Sequence, residues 1–263
     1  MKDENWNSFC EMEVKRSGIF RCLILFSVLY MLITIVMQNE YQAELFSKKL
    51  IKGNLLEFVI FNFENAYIVY LFLPVIILLF CLRFLCFENS EFYYQMRCVH
   101  RKYLLFGNFF LIIICGGTFV LAFLGVACWC GFMYGLPVIS EGNVIHMPYG
   151  SVKGILLIVV SLIAYWTAFS LWFYSFYLIC CNRYLAVLLA CIPLFWGFAV
   201  YKNLWGHLYI YTFFYQIVQG QSNINFCQRL VFWGAQILLL GLFCSRRIRK
   251  IDLQERRRNG ISR

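Results

Sequence analysis

Charge is what this chain has least of. Only 14% of its 263 residues are Asp, Glu, Lys or Arg, and 62% are apolar. Soluble domains carry about 25% charged and ~45–50% apolar residues, so an ordinary soluble domain is excluded. Proline is scarce at four residues and histidine at three. His100, His146 and His207 lie far apart, and no His-Glu-x-x-His occurs, so neither a metal centre at ligand spacing nor a catalytic metal is expected. The glycine-lysine loop that cradles nucleotide phosphates is missing too, which excludes that mode of ATP binding by this chain. No small-residue cleavage site follows the first apolar run, which therefore reads as a retained membrane helix.

Apolar runs take up most of the length. A membrane-crossing helix needs about 20 mainly apolar residues. Six runs qualify, at roughly 19–37, 66–87, 104–132, 154–180, 184–200 and 230–244. A seventh stretch, Leu204 to Val218, holds about fifteen residues and includes His207 and Gln216. Its length suits a segment that enters the bilayer and returns. The expected fold is an all-α integral membrane protein, one domain over 1–263, with a six-helix bundle and a re-entrant outer segment before the last span.

Inside the runs charge is again lacking. Arg21 and Arg83 sit near run ends, where long side chains reach the interface, and the middle of every run is free of Asp, Glu, Lys, Arg and His. Proton relays, voltage sensors and acidic pore rings need such residues. Any energy input must then come from outside the spans. Most of the 13 cysteines lie in apolar runs, as small apolar fillers do. Cys128-x-Cys130 has no second pair or His near it. Gly131 and Gly135 have small-xxx-small spacing, which suits local helix packing. The first outer connection, about Gln38 to Asn65, mixes Glu40, Glu44, Glu57 and Glu64 with three lysines and reads as a small solvated segment.

The net charge of +10 is placed as an orientation signal rather than as a nucleic-acid surface. With six spans, 17 of the 23 Lys and Arg fall on one side, together with both termini. That side is expected to be the cytoplasm. Counting 204–218 as a span would export the basic tail that begins at Arg246.

The inner connection between the second and third spans carries most of the remaining pattern. Ser90 can cap a helix with Glu91 at its positive end. Phe92, Met96, Val99 and Tyr103 then form one apolar stripe, and Tyr94, Arg97 and Arg101 lie on another side. One reading is an interfacial helix whose arginines face lipid phosphates.

The layout resembles the membrane subunit of type-2 ABC exporters over almost the whole chain. A basic amphipathic segment precedes the first span, as Trp6 to Arg16 does. A coupling helix with an acidic start and spaced basic residues joins spans two and three, similar to Glu91, Arg97, Arg101 and Lys102. A tight inner turn joins spans four and five at Cys181 to Arg183, and outer re-entrant helices precede span six. The resemblance implies a permease in a bacterial cell membrane that pairs with a second copy or a sister permease. A separate ABC ATPase subunit would bind the ATP and dock on a coupling helix at about 90–102, through Glu91, Tyr94, Arg97 and Arg101. The cargo class would be an amphipathic peptide, lipid or drug-like molecule. The alternative is a membrane scaffold or accessory subunit that transports nothing.

Overall fold

The computed structural model describes residues 18–47, 53–65, 68–85, 101–138, 151–203 and 223–258, and every regular element among them is helical. In chain order these are α1 (Ile19–Ser47), α2 (Leu55–Glu64), a π-helical turn (Ile68–Phe72), α3 (Leu73–Phe84), α4 (Arg101–Met133), α5 (Ser151–Cys180), α6 (Arg183–Asn203) and α7 (Asn223–Arg258). Four of them are long and apolar enough to cross a membrane, over Ile19–Ala43, Phe106–Met133, Ile155–Cys180 and Leu230–Ile248. The chain is an all-α protein built for a bilayer. The segment at 204–218 and the connection before Arg101 lie outside the described residues.

Side-chain contacts set the direction of each helix. Phe26 and Tyr30 of α1 meet Phe119 and Phe123 of α4 in the same order, so α1 and α4 run parallel. Asn108 of α4 donates to the Tyr174 hydroxyl of α5 at 3.1 Å, whereas Phe119 stacks on Trp166, so α4 and α5 are antiparallel. Trp172, Ser175 and Leu178 of α5 meet Gln236, Cys244 and Arg247 of α7, again in the same order. Phe72 lies against Phe123 and Phe80 against Trp166, which sends α3 down beside α4. As a result Arg21, Arg83, Arg183, Arg246 and Arg247 gather at one end of the bundle. This is the end where α4 begins.

α5 is the hub. It packs against α2, α3, α4, α6 and α7, and over half of its span is buried. The outer helices leave broad apolar faces uncovered, among them Phe20, Ile24 and Val28 on α1 and Val231, Leu238 and Leu239 on α7. In a membrane such faces meet lipid tails, and helix association rests on close packing rather than on expelling water. Gly116 of α4 provides that closeness, with Trp166 of α5 lying directly on it.

Local sequence accounts for the breaks. Pro74 opens α3 and has no N–H for the carbonyl four residues earlier, and the chain enters α3 through the wider π turn. α4 ends in a Schellman closure: Leu136 N–H donates to Gly131 O and Gly135 N–H to Phe132 O, with Gly135 at φ +68°. Gly131 meets Leu55 and Phe58 of α2, the local packing its spacing suggests, whereas a Cβ on Gly135 would touch nothing. The α5–α6 turn has Cys181 at φ 51°, and the Asn182 side chain accepts from Tyr184 N–H at 2.9 Å to cap α6. A left-handed non-glycine residue costs roughly 1–2 kcal/mol. Cys181→Gly is therefore expected to raise stability by about 0.5–1 kcal/mol after glycine's own entropy cost. Thermal unfolding in detergent measures it, and a lower Tm would refute the strain argument.

One expectation needs correcting. The segment from Gln38 to Asn65 is not a solvated connection. α1 runs on to Ser47, and α2 buries Leu55, Phe58, Val59, Ile60 and Phe63 among α1, α4 and α5. Its acidic residues sit at helix ends and between apolar ones, and that arrangement hides an inserted helix of ten residues.

Candidate functional site

Of the residues singled out for coupling, only Arg101 is among the described ones, at the basic end. Arg101 opens α4, and helix is continuous from there through the span. Glu91, Tyr94 and Arg97 lie outside the described residues. Around them the end is built from helix termini. Arg247, half-buried, donates its Nε to Leu178 O at 3.3 Å, placing a cation on the negative end of α5. Arg183 at the turn donates to the Tyr184 hydroxyl at 3.0 Å and lies 4.9 Å above that ring. Arg21, Arg83 and Arg246 are exposed there. The arrangement can receive an acidic surface or a lipid headgroup layer.

The opposite half of the bundle holds a second constellation. Along α1, Tyr30, Thr34, Gln38 and Tyr41 recur at helical spacing, and all are buried. The Tyr41 hydroxyl lies 3.4 Å from Glu57 Oε2 and 3.4 Å from Asn54 O. Asn54 caps α2, its side chain accepting from Glu57 N–H at 2.7 Å. Glu57 is 1% exposed, so a carboxylate enters the bundle on the first turn of α2. Gly53 makes room for it, since a Cβ there would come within 2.5 Å of the Tyr41 hydroxyl.

Deeper in, polar atoms stand without hydrogen-bond partners among the described residues: the Tyr30 hydroxyl, both amide atoms of Gln38, and Asn62 Oδ1. Asn62 spends its Nδ2 on Phe58 O at 2.9 Å. Each buried orphan costs about 1–3 kcal/mol. Tyr30 itself is held by three rings at once: Phe63 and Phe72 stack on it at 6.0 and 5.7 Å, and Phe123 lies 4.7 Å away.

Two signals in the sequence pointed this way. Asn54 three residues before Glu57 has capping-box spacing, followed at once by an apolar run. Tyr30, Thr34, Gln38 and Tyr41 put four polar side chains on one face of the helix. Cys128 and Cys130 are free thiols, Cys130 buried and Cys128 partly so. Among the described residues no cluster of His, Cys, Asp or Glu is able to hold a metal. No family model, no curated protein and no solved structure matches the chain.

Proposed function

We propose that this chain is the permease subunit of an ATP-driven exporter of the type-2 ABC kind, moving an amphipathic substrate across a cell membrane. In this reading the chain crosses six times. α2, the π turn and α3 together make the second pass, α6 makes the fifth, and 204–218 re-enters from outside. Both termini then face the cytoplasm. A separate ABC ATPase binds and hydrolyses ATP at the basic end, and a second permease copy completes the pathway.

The observation that carries the reading is the gathering of Arg21, Arg83, Arg183, Arg246 and Arg247 at the end from which α4 starts. Cytoplasmic ends of membrane proteins are enriched in such cations. The connection bearing Glu91, Tyr94, Arg97 and Arg101 reaches that same end, where a soluble partner would dock. A scaffold role is the second reading. It is favoured by the tight interlock of Phe80, Phe119 and Trp166 at the bundle centre, which suits a rigid anchor.

Mild-detergent purification of the tagged chain from its native host separates the two. An ABC ATPase that co-purifies in stoichiometric amount is the expected result. Recovery of the chain with other membrane proteins and no ATPase would overturn the permease reading.

A further inference from the structure

α7 runs on past the membrane. It is one α-helix of 36 residues over Asn223–Arg258, and no Gly or Pro lies between Leu242 and Arg258. Between Arg229 and Arg246 it carries no charge, a length of about 25 Å at 1.5 Å per residue, close to the thickness of a hydrocarbon core. Arg246 therefore stands at the edge of that core. Past it the same helix rises about 16 Å to Arg257, whereas the headgroup layer on one side of a bilayer is roughly 5–7 Å deep. Even a tilt of about 40° leaves Arg257 about 12 Å out. A helix turns down onto a membrane at a proline, a glycine pair or a π turn, and this stretch has none of them.

Helical register sorts the charges of the extension. Cys244 and Ile248 are 1% and 2% exposed, and Cys244 lies 3.2 Å from Ser175 of α5, so they mark the side of α7 that faces the bundle. At 3.6 residues per turn, Arg246, Lys250, Leu253 and Arg257 fall in one stripe on the opposite side. Arg249 and Arg256 lie three residues before and four after Asp252, the spacing of intrahelical ion pairs. The stripe has no such relief. No Asp or Glu lies three or four residues from Arg246, Lys250 or Arg257, and Arg246 and Lys250, four apart, repel each other. A cationic face without its own counter-charge, with an apolar residue in its middle, thus extends beyond the depth of lipid phosphates.

We propose that this stripe is a docking face for an acidic surface of the ATPase subunit, a second rigid contact beside the connection at 90–102. The inference rests on the permease reading above. α7 packs along α5, the hub of the bundle, so load taken at Arg257 reaches the core through one unbroken helix.

The test is capture of the ATPase by the tagged full chain from its native host in mild detergent. Lys250→Glu with Arg257→Glu is expected to lower the captured ATPase at least tenfold, with the Tm of the chain unchanged. Gln254→Glu with Arg258→Glu, a similar charge change a quarter-turn round the same helix, is expected to leave capture within twofold of wild type. Absence of ATPase with the wild-type chain would remove the permease reading and this contact with it. ATPase captured equally by wild type and by the Lys250 and Arg257 double variant would overturn the contact alone. Equal losses in both double variants would overturn it too, since diffuse attraction has no preferred face. In proteoliposomes containing phosphatidylglycerol, a fluorescent amino acid at position 257 is expected to escape quenching by spin-labelled headgroups. Quenching would make the bilayer the occupant of the stripe and refute the protein contact.

Discussion

Gly116→Leu is expected to destabilise the bundle by about 3 kcal/mol or more, while Gly117→Leu next to it is expected to be almost neutral. Overpacking a close-fitted interior costs typically ~1–3 kcal/mol and sometimes more. At Gly116 a first side-chain carbon alone would lie 2.5 Å from Trp166 Cδ1 and 2.8 Å from Cγ. The indole has nowhere to move, because Phe119 stacks on it at 5.2 Å and Phe80 closes in at 5.6 Å. The α4–α5 contact must therefore open. At Gly117 an added carbon meets nothing within 4 Å. Trp166→Ala should also be costly, at about 3–5 kcal/mol for an emptied aromatic site. Combined with Gly116→Leu it should cost less than the sum, since the leucine occupies space the indole leaves. Thermal unfolding of the four variants in one detergent gives the comparison. Equal losses at Gly116 and Gly117 would disprove the close approach of α4 and α5.

The second large effect concerns function. Arg97→Glu combined with Arg101→Glu is expected to abolish ATPase co-purification and substrate export, with insertion and folding unchanged. Losing one buried charged partner at an interface costs about 2–5 kcal/mol. Two such losses lower affinity by ~1,000-fold or more, at tenfold per 1.4 kcal/mol. Arg101 starts the helix that continues into the bundle as α4, so force applied there acts on a rigid element. Arg97→Lys with Arg101→Lys separates the readings, because lipid phosphates accept either cation. Wild-type ATPase binding and export in the double-glutamate variant would remove these residues from the coupling role.

Several features were legible before any coordinates. The apolar runs that became α1, α4, α5 and α7 stood out by length. So did the turn at Cys181 and Asn182, where a residue tolerant of caps interrupts two uncharged runs. The clustering of basic residues marked a common end. Two boundaries moved: α1 extends ten residues beyond Met37, to Ser47, and the last helix continues past Cys244 to Arg258. Both extensions carry polar residues, which end a hydrophobic run but not a helix.

The inward faces were not legible, and the reason is physical. In water the buried face of a helix is the apolar one, so periodicity reveals it. In lipid the outward face is as apolar as the core, and Phe20 on the outside of α1 is chemically equivalent to Phe26 on the inside. Composition alone determined the class of this protein and its helical build. The burial of α2 and the role of Gly116 against that of Gly117 depended on which surfaces touch. In a bilayer the free energy of those contacts comes from shape and hydrogen bonding, and only the tertiary structure holds that information.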